Sequence, residues 1–414
     1  MNPTPLSPVA RMAVLAAAFL GLLFDGVELG LMPVASLSVS KSLLGAQFTP
    51  TLGGAWFAKF TASLLLGAAI GGMLLGNLGD RIGRTRAMGI SILFYSVFAG
   101  LGAWAKTQEQ MLVLRFLVGL GVGGVWPNGI TLVSECWSNA SRPVVSGVMS
   151  AGLNAGILLL SQLARLWPIT ADSWRWVFQM AAAPALLGLA VLLFLPESPQ
   201  WLASRGQEKK VKVRLRDLLG PELRSITLIG IVISSIPMVG AWAASKWMIP
   251  WADSVAGSNA GYKAATQGWW ALGATLGSFM GAQLAGWLGR RRSYLLISIF
   301  STLLTVAMFQ WTAPLQSSFH PIVFAQGFVA TLFFGWLALY LPELFPARVR
   351  ASGSGLAFNS GRFATAAGVF LAGSLLSALG GDYPMVGTVC SMIYGLGILA
   401  IWFAPDTTKS SLSQ

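Results

Sequence analysis

The sequence predicts an all-α membrane protein of twelve transmembrane helices, and three observations carry that reading. First, 55% of the 414 residues are hydrophobic and only 10% are charged, with a mean hydropathy of +0.68. Soluble domains carry about 25% charged residues. Second, the apolar runs have the right length: segments such as 87–105, 176–195 and 385–404 are nearly free of charge, and about 20 apolar residues cross a bilayer as a helix. Third, the basic residues cluster on alternate loops. Counting with both termini inside, eighteen Lys and Arg fall on the inner loops and tails and seven on the outer side. That asymmetry predicts cytoplasmic termini in a cell membrane.

The twelve spans are expected at about 12–33, 55–78, 87–105, 109–134, 143–166, 174–195, 224–249, 265–288, 293–312, 319–341, 350–378 and 383–404. Span 1 is too long and continuous for a cleaved signal peptide, and it is expected to stay as an anchor. The longest inner connection, 196–223, separates six spans from six. It contains RGQEKKVKVRLRDLLGPEL, a basic and partly amphipathic run that reads as a helix on the inner leaflet. The expected organisation is therefore an N-terminal six-helix bundle over 1–195, a linker over 196–223 and a C-terminal six-helix bundle over 224–414.

An internal repeat supports that division. GAAIGGMLLGNLGDRIGRTR (67–86) aligns without gaps on GATLGSFMGAQLAGWLGRRR (273–292), an offset of 206. ECWSNASRPVVSG (135–147) aligns on ELFPARVRASGSG (343–355), an offset of 208. Repeats of six helices imply two bundles related by a pseudo-two-fold axis along the membrane normal, with a site between them.

Several function classes drop out. The net charge of +13 is accounted for by topology, so nucleic acid is not expected as a partner. Cys136 and Cys390 have no metal-ligand spacing and sit in or beside spans, against a structural disulfide. His320 begins span 10 on the outer side and reads as a loop residue. Asn139-Ala140-Ser141 matches a glycosylation sequon but faces inward. No nucleophile–base constellation or metal cluster is visible, so an enzyme, a cofactor and a metal site are not expected. The expected partners are a small-molecule substrate, a proton and the bilayer, with a single chain as the working unit.

Several segments resemble the major facilitator superfamily. GNLGDRIGRTR (76–86) looks like its loop signature, with Gly76, Asp80, Arg81, Gly83 and Arg84 at the matching positions. RFLVGLGVGG (115–124) resembles the span-4 signature, and PESPQWL (196–202) and PELFPARVRASGSGLAFNSGR (342–362) resemble motifs of sugar porters and organic-ion carriers. FDGVELG (24–30) is most similar to the span-1 signature of aromatic-acid:proton symporters, with Val27 where that signature has an aromatic residue. In the second half Gly286 and Trp287 replace the Asp80–Arg81 pair. The resemblance implies the major facilitator fold and secondary transport by alternating access. It also implies an inner-face network of Asp80, Arg81, Arg84, Glu135, Arg142, Glu343 and Arg350 that latches the inner side when the outer side is open.

The candidate site rests on charges inside spans. A charge at the bilayer centre costs at least about 2.5–3.5 kcal/mol, and such residues persist where they are paired or face a wet cavity. At 1.5 Å per residue, Asp25 and Arg362 lie near the midplane, while Glu28 and Arg115 share a level closer to the outer surface. Burial favours a neutral carboxyl and a neighbouring Arg favours a carboxylate, so an acid beside a movable Arg can load and release a proton. Asp25 or Glu28 is the candidate proton site, with Arg115 tuning it; the other reading is a static bridge between spans 1 and 4. Arg362 is a candidate anchor for a substrate carboxylate, or else simply neutralises Asp25. Asn154, its repeat equivalent, together with Asn128, Trp126, Trp242, Trp336 and Phe358, lies at depths from which it could line a cavity, although packing or lipid contact is the commoner fate of such residues.

The leading expectation is proton-coupled symport of a small organic anion: a monocarboxylate, sugar acid or aromatic acid. The alternatives are a proton-coupled sugar symporter and a proton-driven antiporter of drugs or organic cations.

Overall fold

The computed structural model describes residues 6–137, 142–204, 215–346 and 349–408. Twelve long helical segments follow the expected order. They are Pro8–Leu44, Pro50–Ile82, Arg84–Leu101, Gln108–Cys136, Arg142–Leu166 and Arg175–Phe194 in the first half. In the second half they are Arg224–Ala256, Tyr262–Leu288, Arg290–Gln310, Phe319–Leu344, Arg350–Ala378 and Tyr383–Ala400. These are spans 1 to 12. Among the described residues, eleven are long and apolar enough to cross a membrane. The twelfth, span 8, has 27 residues and a more polar composition, and it packs deep between spans 5 and 10. The central part of the basic connection (205–214) and the sequon at 139–141 lie outside the described residues.

Local chemistry sets several starts. Ser7, Thr49, Thr107 and Asp382 each accept a hydrogen bond from the backbone N–H three residues on, and Pro occupies the first turn in three of those helices. The helices outrun the expected spans mainly where they are covered by protein. Span 1 continues through Val34–Ser40, every residue of which is buried. Serines there lower the hydropathy without ending the helix, because the neighbouring spans exclude water. The sequence predicts an end to span 7 at 249; the helix instead reaches Ala256. It passes through a π-turn at Gly240–Ala244 and a 3₁₀ turn at Ser245–Trp247.

The two halves use the same pairings. Span 1 packs on span 5, 2 on 4 and 3 on 6; span 7 packs on 11, 8 on 10 and 9 on 12. The halves meet along two seams, span 2 against span 11 and span 5 against span 8. A two-fold operation exchanging the halves converts one seam into the other, as the repeat requires. Gly83 and Gly289, 206 residues apart, turn span 2 into 3 and span 8 into 9 at φ of 114° and 83°. A side chain is strained in that left-handed region.

Exposed tryptophans sit at the span ends: Trp104, Trp167 and Trp311 on one face, Trp287 and Trp402 on the other. Such belts mark the two membrane–water boundaries. The face from which span 1 begins and to which span 12 returns is hereafter the terminal face.

Candidate functional site

Asp25 and Glu28 are both almost completely buried on span 1, one turn apart. Their surroundings differ. Glu28 turns into its own half, where Arg115 Nη1 of span 4 lies 3.1 Å from its Oε2. Both side chains are at most 1% exposed, and the guanidinium carbon lies 5.3 Å from the ring centre of Phe178 on span 6. Spans 1, 4 and 6 therefore enclose a single-contact ion pair.

Asp25 faces a central cavity of about 150 Å³ lined by spans 1, 2, 4 and 5 and by spans 7, 8, 10 and 11. Arg362 of span 11 lines the same cavity, and its Nη1 donates across the seam to the Ala68 carbonyl of span 2 at 3.2 Å. Among the described residues no ion pair joins Asp25 to Arg362. Asn154 also borders the cavity and bridges the other seam, its Nδ2 donating to Ser278 Oγ of span 8 at 3.0 Å. Trp126, Trp242 and Phe358 contribute to the walls.

Two candidates lie elsewhere. Trp336 is fully buried within the second half, stacked on Tyr340 and donating its indole N–H to the Arg290 carbonyl at 2.8 Å. Asn128 is buried at the span 2–span 4 contact, donating to the Leu75 and Gly124 carbonyls.

Gly26 and Gly30 serve helix packing. A Cβ on Gly26 would lie 1.8 Å from the Leu153 carbonyl oxygen of span 5. This close approach fixes which way the acids at 25 and 28 face.

Arg362, Trp126 and Phe358 also border a second cavity of about 680 Å³ that extends toward Glu135, Gln200, Pro342 and Ser354 at the terminal face. The opposite face is sealed by contacts between halves. Lys263 Nζ donates to Ser38 Oγ at 2.8 Å, Gln267 Nε2 to Ser161 Oγ at 3.2 Å, and Tyr383 Oη to the Pro50 carbonyl at 3.1 Å. The structure is thus closed on one side and open on the terminal side.

That state explains the arrangement of the gate candidates. Arg84 pairs with Asp80 and lies 3.7 Å from Glu135; Arg290, its repeat equivalent, grips Glu343 at 2.6 and 3.0 Å. Each pair stays inside one half. Asp80 holds Arg84, and its carbonyl accepts from the Trp201 indole. Arg81 is exposed, and Arg350 Nε lies 3.4 Å from the Phe345 carbonyl. The side chain of Arg142 lies outside the described residues. PESPQWL acts locally, since Glu197 accepts from the Thr85 N–H at 3.1 Å and so holds the start of span 3.

Sequence reasoning missed Lys246 and Lys263 as site residues by assigning both to the outer surface. Lys263 is 2% exposed, held by Asp253 at 2.9 Å and by Ser38. Lys246 is 1% exposed and lines the central cavity. The uninterrupted apolar run IPWA at 249–252 is the signal that span 7 continues beyond its expected end at 249, which puts Lys246 deeper than a boundary position.

The family model described as Major Facilitator Superfamily matches residues 13–358. The cis,cis-muconate transport protein of Acinetobacter baylyi is 30% identical over 406 residues, covering 94% of each chain. The probable 4-methylmuconolactone transporter of Cupriavidus pinatubonensis is 29% identical over 350 residues, 83% of this chain and 80% of that one. Among solved structures, a partially occluded inward-open form of the xylose transporter XylE from E. coli superposes with a TM-score of 0.75. It covers 98% of this chain and 100% of its own at 18% identity, a likeness of fold. Repeat, paired bundles and central cavity agree with these matches: the chain belongs to the major facilitator superfamily and is a multi-pass membrane transporter.

Proposed function

We propose that this protein is a proton-coupled symporter of a small organic anion, working by alternating access with both termini in the cytoplasm. The observation that carries the reading is the placement of two buried acids one turn apart on span 1, only one of which faces the inter-half cavity. One is closed onto Arg115, and the other faces the cavity that Arg362 also lines. Arg362 supplies a guanidinium for a substrate carboxylate. Asp25 and Glu28 supply proton acceptors whose protonation alters the charge balance of the same region. Substrate and proton together then favour an occluded state, each by its differential affinity for the two conformations. Two relatives named for muconate and a methylmuconolactone support a carboxylate or closely related substrate. The terminal-side gate residues latch in the opposite state by exchanging their present partners for ones across the halves.

Purified protein in proteoliposomes tests this. Labelled cis,cis-muconate or sorbate should accumulate under an inward proton gradient, and an uncoupler should abolish the accumulation. Glu28→Gln or Asp25→Asn should lose driven accumulation while keeping exchange of labelled for unlabelled anion. Xylose accumulation with no carboxylate uptake would replace this reading with the neutral-sugar one. Normal concentrating uptake in both acid variants would end the proton-site assignment.

A further inference from the structure

Among the described residues Lys246 is a buried charge with neither an ion-pair nor a hydrogen-bond partner. It lies in the 3₁₀ turn that follows the π-turn of span 7, a local widening of the kind that recurs at functional sites. Span 7 runs to Ala256, ten residues beyond it, so the ammonium is well inside the protein. Its Nζ lies 3.2 Å from the ring centre of Trp270 and 5.8 Å from that of Trp242. It has no hydrogen-bond acceptor among the described residues.

The setting is rigid. Trp270 Nε1 donates to Gln326 Oε1 at 2.7 Å, and Gln326 Nε2 donates to Ser245 Oγ, beside Lys246, at 2.5 Å. Two polar side chains thus hold the indole face on which the ammonium rests. Cation–π attraction satisfies part of a desolvated ammonium's needs, but none of its three N–H donors has an acceptor among the described residues. Such a group either sheds its proton or is matched by an anion, and an anion within reach would hold the ammonium form. The nearest space is the central cavity, whose lining contains both Lys246 and Arg362.

We propose that Lys246 is a second anion anchor and that, with Arg362, it makes the central cavity selective for a dicarboxylate over a monocarboxylate. This deepens the organic-anion reading and rests on it. The walls of Trp126, Trp242, Trp270 and Phe358 favour a flat, unsaturated skeleton, with one carboxylate directed to each cation. Charge balance links the same arrangement to coupling. Glu28 is neutralised by Arg115. Lys246, Arg362 and an ionised Asp25 leave one positive charge in the cavity. A monoanion cancels it, whereas a dianion leaves the cavity neutral only when Asp25 carries a proton.

The test compares hexa-2,4-dienedioate with hexa-2,4-dienoate, which share a skeleton and differ in one carboxylate. Binding to the full-length protein in detergent is read by tryptophan fluorescence and by calorimetry at pH 7. The wild type should bind the dianion at least ten-fold more tightly. Lys246→Gln should weaken both probes but the dianion far more, so that the preference is lost, and Lys246→Arg should restore most of it. Thermal unfolding of each variant reports whether it is folded, and the wild-type preference needs no variant at all. Equal wild-type affinity for both probes, or an undiminished preference in folded Lys246→Gln, overturns the Lys246 proposal while leaving organic-anion transport standing. Binding of neither probe, with no uptake of either in proteoliposomes, overturns the organic-anion reading itself.

Discussion

Two acids one turn apart on span 1 occupy opposite kinds of environment. Glu28 is sealed within the first half against Arg115, its partner fixed at 3.1 Å and both groups shut away from the cavity. Asp25 opens onto the space between the halves, where Arg362 and Lys246 are the cations and neither is ion-paired to it. Pairing inside a half survives the rocking of one bundle against the other; groups that line the seam change neighbours with each cycle. An enclosed pair suits holding a fold or storing a charge state, and an open cluster suits binding cargo. The same helix supplies both because residues three apart point in similar but unequal directions.

The sharpest way to break this contrast is Arg115→Ala. It strands a buried carboxylate, and removing one partner of a buried pair costs about 3–5 kcal/mol. The variant should show a markedly lower unfolding temperature in detergent. Glu28→Gln combined with Arg115→Met should recover much of that loss, since an apolar or neutral replacement of a buried pair is often tolerated. If the double variant is stable yet cannot drive uptake, the pair couples protons; if it still concentrates substrate, the pair is a structural bridge.

Arg362→Ala probes the open side. Arg362 is only half-buried and borders the cavity open to the terminal face, so its loss should spare the fold. A charged hydrogen bond contributes about 1.5–3 kcal/mol, which predicts anion affinity lower by roughly 10- to 100-fold. Unchanged affinity by calorimetry would remove Arg362 from the binding site.

Gly26→Val tests what aims the acids. Its Cβ would meet the Leu153 carbonyl oxygen at 1.8 Å, so spans 1 and 5 must separate. Overpacking of this kind costs about 1–3 kcal/mol. The expected result is a lower unfolding temperature together with impaired uptake, because both acids would shift.

The smallest effect is expected at the sealed face. Ser38→Ala removes the contact by which Lys263 joins the two halves while leaving its ion pair with Asp253. Loss of about 1 kcal/mol from this state should shift the balance several-fold toward the form open on that face. Spin-label distances across the sealed face would register the change. An unaltered distance distribution would show that the other seam contacts dominate closure.

Much of the fold was legible because the bilayer limits the choices: apolar runs of helical length and a 206-residue offset suffice for twelve helices in two related bundles. The repeat has a counterpart in the structure, which places Arg84 with Glu135 and Arg290 with Glu343 as equivalent pairs; Arg290 is absent from the gate network that the sequence resemblance implies. Counting helical rise brought Glu28 and Arg115 to one level because both were clearly inside predicted spans. Lys246 escaped the same count because the boundary of span 7 was drawn too early, and a lysine near a boundary reads as a surface charge. Trp336 and Asn128 were at suitable depths, but depth does not determine which way a helix faces.

By itself, the sequence determined the membrane class, the two-fold organisation and which charges are too costly to sit in a span without a purpose. Those conclusions follow from hydropathy, length and periodicity, which are properties of each segment alone. Only the tertiary structure decided that one acid is enclosed and the other open, and that a second cation, Lys246, faces the cavity beside Arg362. It also decided that the molecule rests sealed on one face and open on the other. These depend on how helices rotate and pack across the seams, where Gly26 against Leu153 or Lys263 against Ser38 sets an orientation that no single segment encodes.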